Sequence, residues 1–92
     1  MSDGDRARVT GSLHFTTVSA LLAAGVAAIN SGRAAVIDLA GVTGSDSAGL
    51  ALLIEWLSVA KSAGRTLRFE NIPSQLQQLA RLSEVEELLI PA

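Results

Sequence analysis

The chain has 92 residues, of which 49% are hydrophobic and 17% are charged, and its formal net charge is −2. This length allows one domain, residues 1–92, and the apolar fraction excludes a wholly disordered chain. The scattered basic residues exclude an extended nucleic-acid surface, which needs concentrated positive charge, and the absence of cysteine excludes disulfides and thiolate chemistry.

The start of the chain, residues 1–6, is polar and acidic, and we expect it to be disordered. It lacks the charged and apolar regions of a signal peptide. No apolar run reaches the roughly 20 residues of a membrane-spanning helix, because Glu55 and Lys61 interrupt the best candidate. We therefore expect a cytoplasmic protein with no direct membrane insertion.

The first half of the chain predicts a strand, a helix and a second strand. Residues 7–13 alternate loosely between polar and apolar, which indicates an edge strand. Residues 16–30 carry apolar side chains at helical spacing, and residues 31–32 (Ser-Gly) are a typical helix end. The short apolar run at 34–39 is typical of a central strand covered on both faces.

The second half repeats this alternation of helix and strand. Residues 47–63 give the strongest helical pattern, and residues 66–70 alternate as a strand does. Ser74 and Gln77 form a capping-box pattern that opens a further helix, and residues 85–90 make a short terminal element of unassigned type. The fold class predicted is α/β, a small mixed β-sheet with helices packed against it.

Residues suited to catalysis or metal binding are sparse. His14 is the only histidine, and a pairing of His14 with Ser47 is the one speculative nucleophile–base set. A histidine at the surface end of a strand is the simpler interpretation, and a lone histidine lacks metal-ligand spacing. The glycines form neither a Walker nor a dinucleotide motif. We expect no catalytic residue, no metal and no cofactor.

The helix at 47–63 has two apolar faces. The face expected to pack on the core contains Leu50, Leu53, Ile54, Leu57 and Ala60. The opposite side contains Leu52, Trp56 and Val59. Either this second face is an exposed partner surface or a neighbouring helix or the tail covers it. We favour the partner surface, because tryptophan is enriched in interface hot spots and large exposed apolar patches mark partner sites.

Asp46 and Ser47 stand at the predicted start of this helix. Unpaired backbone N–H groups and the positive end of the helix dipole meet at such a position. The pair is therefore either a helix cap or a place where a phosphoryl group is added and removed. Composition and spacing leave both alternatives open.

The segment 38–50 resembles the signature of the STAS domain family, the domain of anti-sigma-factor antagonists and sulfate transporters. The matching residues are Asp38, Val42, Asp46, Ser47 and Gly49. The resemblance extends over roughly residues 7–90 and implies a STAS-type sheet. Residues 49–53 and 60–61 look most like the MlaB type, the STAS subunit of the Mla phospholipid-transport ABC system.

The resemblance implies a non-enzymatic cytoplasmic subunit, peripheral to the inner membrane. Such a subunit binds and regulates or stabilises the ATPase of a phospholipid-transporting ABC complex, which includes a membrane permease and maintains outer-membrane lipid asymmetry. Ser47, with its acidic neighbour Asp46, is the position implied at the ATPase contact. We expect the outward residues Leu52, Trp56 and Val59 to join that contact.

An anti-sigma-factor antagonist regulated by phosphorylation at Ser47 is the alternative. Ser45 stands where antagonists usually carry a large apolar residue, and Ala48 replaces a second hydroxyl residue. Both departures favour the transporter subunit over the antagonist.

Overall fold

A four-stranded sheet forms the centre of the computed structural model, which describes residues 2–3, 6–32 and 35–89. Across the sheet the strands are β1 (Ser2–Asp3), β2 (Arg6–Leu13), β3 (Val36–Ser45) and β4 (Arg68–Glu70). β1 runs antiparallel to β2, whereas β2, β3 and β4 are parallel. The predicted mixed sheet is therefore confirmed.

Helices supply the crossovers that parallel strands require. The described helices are α1 (Val18–Asn30), α2 (Ser47–Ser62), α3 (Ser74–Leu82) and α4 (Glu86–Leu89). α1 joins β2 to β3, and α2 joins β3 to β4. The unassigned terminal element is the short helix α4, and Ile90 lies outside the described residues. None of the described helices is both long enough and apolar enough to cross a membrane.

Strand β3 is longer than its apolar run predicts. Only residues 36–39 are continuously buried, yet the strand goes on to Ser45, and Ala34 lies outside the described residues. The extension pairs with β2 as far as Leu13, with register shifts on the way. Backbone hydrogen bonds to β2 hold these small and polar residues in the sheet, although their sequence shows no regular apolar pattern. As a result the strand leads directly to the first turn of α2.

The start of the chain differs from the prediction in two respects. Ser2, Asp3 and Arg6 lie in strands, so the expectation of disorder over residues 1–6 is wrong for these three, and the others lie outside the described residues. β2 is also not an edge strand along its whole length, because β1 pairs with it at Arg6 and Ala7.

The predicted outward face of α2 is largely inside the protein. Leu52 is 4% exposed and Trp56 is 0% exposed, and the indole Nε1 of Trp56 donates a hydrogen bond to the Leu22 carbonyl of α1 at 3.3 Å. Val59 is half-buried. The expectation of an exposed patch is therefore wrong for Leu52 and Trp56, and the alternative, a covering helix, is correct. α1 is that helix.

Gly25 allows α1 to lie so close to α2. A Cβ atom added to Gly25 would stand 2.1 Å from Nε1 of Trp56, which is closer than any real contact. The face of α2 predicted to meet the core does so at Leu50, Leu53 and Ala60. Helix α2 is thus buried on two sides, against the sheet core and against α1.

The capping box predicted at the start of α3 does not form. Pro73 is the N-cap residue, no side chain caps the helix, and Ser74 is already its first residue. The side-chain Nε2 of Gln77 instead donates to the Ile72 carbonyl at 2.9 Å. Pro73, whose ring fixes its φ angle, occupies the N-cap position. Ser74 therefore lies one position too far into the helix to act as the cap.

Candidate functional site

The candidate site is the N-terminus of α2, at the carboxyl end of the parallel strands. β3 ends at Ser45, and Asp46 follows in an extended conformation as the N-cap residue of α2. The Asp46 backbone N–H donates to the Leu13 carbonyl at 3.1 Å, which ties the start of the helix to the end of β2. The signature segment is therefore fixed to two neighbouring strands.

Asp46 caps α2 through its side chain. Its Oδ1 accepts a hydrogen bond from the Ala48 N–H at 2.8 Å, so the capping interpretation is correct for this residue. Partial desolvation raises the pKa of Asp46, but the Ala48 N–H bond and the nearby charge of His14 outweigh it, and the pKa lies below its ordinary value. An ionised carboxylate here is favoured by the helix dipole.

His14 lies beside the capping carboxylate. Its Nδ1 is 3.6 Å from Oδ2 of Asp46, and the two side chains are 48% and 47% exposed. The contact pairs His14 with the cap and not with the Ser47 hydroxyl of the speculative catalytic set. His14 is therefore a surface histidine that directly follows the end of β2. His14 is thus a neighbour that adds positive charge when protonated.

Ser47 is the first residue of α2, and it is exposed. Behind it Gly49 is buried against the strand ends, where an added Cβ would stand 2.1 Å from Oγ of Ser45 and 2.9 Å from Cβ of Leu13. Only glycine lets the first turn lie this close to the sheet. The structure therefore brings Asp46 and Ser47 together at the surface, with Leu52 and Trp56 inside and Val59 further along the helix.

An exposed aromatic residue next to the site was missed by the sequence analysis. Phe15, in the turn between β2 and α1, is 76% exposed, and its backbone N–H is among the groups that lower the pKa of Asp46. Thr17 orders this turn, because its Oγ1 accepts from the His14 N–H at 3.0 Å and donates to the Ser12 carbonyl at 2.9 Å. A lone phenylalanine between a strand and a helix was the available signal.

An open apolar groove lies beside Ser47, between α1 and α2. Its volume is about 310 Å³, and it is lined by Val18, Ser19, Leu22, Ala48, Ala51, Leu52 and Glu55. Leu52 therefore still reaches the surface, at the floor of this groove, although almost all of its side chain is covered. Trp56 is not among the lining residues.

The other aspartate of the signature, Asp38, has structural partners. It is 5% exposed, and its Oδ1 accepts hydrogen bonds from Asn71 Nδ2 at 3.0 Å and from the Ala40 N–H at 2.9 Å. Arg6 approaches its Oδ2 at 3.2 Å. These bonds, that of Asn71 first, lower the pKa of Asp38 to about 2. Asp38 thus links β2, β3 and the segment after β4.

The described residues offer no metal site. Within residues 2–3, 6–32 and 35–89, no group of three or more histidine, cysteine or carboxylate side chains is placed to hold an ion. Asp46 and His14 are a pair with no third ligand. The arrangement at the start of α2 is suited to contact through a rigid, exposed helix end.

Comparison with known families and structures gives one family match and several matches in fold. A family model described as "Mlab, STAS domain" matches residues 2–91. No curated protein sequence matches the chain significantly.

Two solved structures of SpoIIAA are similar in fold. The anti-sigma factor antagonist SpoIIAA in its unphosphorylated form is 17% identical, with 89% of this chain and 78% of that chain covered and a TM-score of 0.65. The Bacillus cell fate determinant SpoIIAA in the phosphorylated form is 18% identical, with 100% and 86% covered and a TM-score of 0.68. A structure of Mglu is 26% identical over 78% of this chain but only 19% of that chain, with a TM-score of 0.64.

Proposed function

Because the chain belongs to the MlaB-type STAS domain family, we propose that it is a non-enzymatic subunit that binds the ATPase of a phospholipid-transporting ABC complex. In this proposal the complex contains a membrane permease and maintains outer-membrane lipid asymmetry. The chain is cytoplasmic and is held at the inner membrane through its partner. The observation that carries the proposal is the exposed Ser47, fixed at the first turn of α2 beside Asp46.

The capping arrangement prepares Ser47 for contact with a partner. Asp46 uses one carboxylate oxygen to hold the Ala48 N–H, and its backbone holds Leu13. Ser47 therefore sits on a first turn that is fixed before binding, so little conformational entropy is lost when a partner docks. In this proposal Ser47 and Asp46 make the contact, Val59 lies at its margin, and Leu52 and Trp56 support α2 from within.

The proposed mechanism is mechanical and involves no chemistry on this chain. A rigid helix end that binds one conformation of the ATPase more tightly than another shifts the population toward that conformation. The domain thereby regulates or stabilises the ATPase. The burial of α2 against both the core and α1 gives it the stiffness that this role requires.

Phosphorylation at Ser47, as in an anti-sigma-factor antagonist, is the second candidate function. The exposure of Ser47 favours it, since a kinase needs access to the hydroxyl. A phosphoryl group would add roughly two negative charges next to the Asp46 carboxylate and repel an acidic partner. Ser45 and Ala48 still depart from the antagonist pattern. We therefore place the transporter subunit first.

Affinity capture tests the proposed function. The tagged chain is co-expressed with the ATPase and permease of a phospholipid-transporting ABC complex from the same organism, as wild type, Ser47→Arg and Ser83→Arg. Ser83 is the exposed C-cap residue of α3, on a different helix from Ser47 and Val59, so its variant is the matched control. Wild type and Ser83→Arg should retain the ATPase, and Ser47→Arg should lose it. A wild-type chain that captures no ATPase would overturn the proposal.

Intact-mass measurement separates the two candidates. The chain is incubated with ATP and an anti-sigma-factor kinase from the same genome, as wild type and Ser47→Ala. One added phosphoryl group that depends on Ser47 would favour the antagonist. An unchanged mass, together with ATPase capture, supports the transporter subunit.

A further inference from the structure

On the basis of the proposed function, we propose that the groove between α1 and α2 receives an apolar side chain of the ATPase, and that Glu55 pairs with a lysine or arginine next to it. The partner surface thus presents an apolar side chain with a basic side chain close to it. This inference adds a second contact, with its own chemistry, to the one at Ser47.

The size of the groove fits a side chain better than a free ligand. Its volume of about 310 Å³ is at the lower end of small-molecule sites, and it is open to solvent. Its walls are aliphatic, with Val18 and Leu22 on α1 and Ala51 and Leu52 on α2. An aliphatic or aromatic side chain of a partner occupies part of such a space and removes apolar surface from water.

The charges around the groove indicate which type of partner residue lies next to that apolar side chain. Glu55 is the one charged residue that lines the groove, and it is exposed. The ion pairs formed within the described part of the chain involve other residues. Asp46 adds a second carboxylate at the Ser47 end. A surface with this negative potential is complemented by a positively charged surface on the partner.

The groove is continuous with the Ser47 site. Ala48 lines it and directly follows Ser47, and the turn that carries Phe15 leads into Val18. Phe15 is exposed and its turn is ordered by Thr17, so it presents an aromatic ring at little entropic cost. One partner can therefore cover Phe15, Ser47 and the groove together.

Binding measurements with the purified ATPase test the inference. Ala51→Phe obstructs the groove with an aromatic ring, and Glu55→Lys reverses its charge. The matched controls are Ala24→Phe, at an exposed alanine of α1, and Glu87→Lys, at an exposed glutamate of α4. We expect the two groove variants to bind about tenfold or more weakly, and the controls to bind within about twofold of wild type. Glu55→Lys should also slow association at low salt.

Melting temperatures show that the variants are folded, and the pattern of binding decides the outcome. If Ser47→Arg loses the ATPase while Ala51→Phe and Glu55→Lys bind as wild type does, the groove inference is overturned and the proposed function stands. If wild type does not bind the ATPase, both are overturned.

Discussion

Two aspartates of the STAS signature differ in burial and in what they hold. Asp38 is buried, and its carboxylate joins Asn71, Ala40 and Arg6. Asp46 is half exposed and caps α2. The sequence pattern marked both but could not show that Asp38 is buried, because its side-chain partners Arg6 and Asn71 lie 32 and 33 residues away along the chain. Only the cap was predictable, since capping is a local interaction between neighbouring residues.

Asp38 should make stability depend on pH. Its pKa falls to about 2 on folding, so the ionised form stabilises the fold above the unfolded pKa of about 4. That stabilisation is lost as the pH falls from about 4 toward 2. Asp38→Asn should therefore melt lower than wild type at pH 7, with the gap closing below pH 4. A gap that is constant from pH 7 to pH 2 would contradict this assignment.

Asp46 should be replaceable by asparagine but not by alanine. Asparagine keeps an oxygen acceptor for the Ala48 N–H, whereas alanine leaves the first turn of α2 uncapped. We expect Asp46→Ala to lower the melting temperature by about 3–8 °C, and Asp46→Asn by much less. Thermal unfolding followed by circular dichroism measures both, and equal losses would argue against the cap.

The long helices followed from sequence, whereas their contacts did not. Apolar periodicity predicts α1 and α2 within two residues of their ends, because burial of one face imposes the helical repeat. Periodicity shows which faces are apolar but not what covers them, so Trp56 was placed outside. The available signal was Gly25, a glycine inside a helix, which indicates close approach of another element.

Gly25→Ala should destabilise the fold, although alanine favours helices by about 1 kcal/mol. Its methyl group would overlap the indole of Trp56, and we expect a net loss of about 1–3 kcal/mol in the free energy of unfolding. Urea unfolding measures it. The double variant Gly25→Ala/Trp56→Leu should lose less than the sum of the two single changes, because the smaller side chain admits the methyl. Strict additivity would show that the two positions do not touch.

As a whole, the molecule buries its one tryptophan at the junction of α1 and α2. Only 3% of the residues are aromatic, so the core consists mainly of aliphatic side chains. Trp56 is the largest of the fully buried side chains. The fold class was predictable, because it follows from the alternation of elements. The position of Asp46 and Ser47 at the start of α2 was predictable from local sequence. The groove was not, since it exists only where two helices meet.

Trp56 fluorescence should report on the core and not on the proposed docking surface. We expect blue-shifted emission, weak quenching by acrylamide in the folded chain, and strong quenching after unfolding. Addition of the ATPase should leave the emission wavelength unchanged, since Trp56 is 0% exposed and lies beneath α1. A clear shift on binding would mean that the partner contacts Trp56 or moves α1.

Hydrogen–deuterium exchange of the chain, free and bound to the ATPase, tests the docking site at the start of α2 most directly. Amides in the first turn of a helix lack the regular intrahelical acceptors, so even where a cap holds one of them, as Asp46 holds the Ala48 N–H, they exchange faster than amides of the helix interior unless something covers them. The account predicts that binding slows exchange at the start of α2 and in the turn that carries Phe15, and leaves α3 and α4 unchanged. Slowing confined to α3 and α4, where Leu82 and Leu88 are exposed, would contradict it.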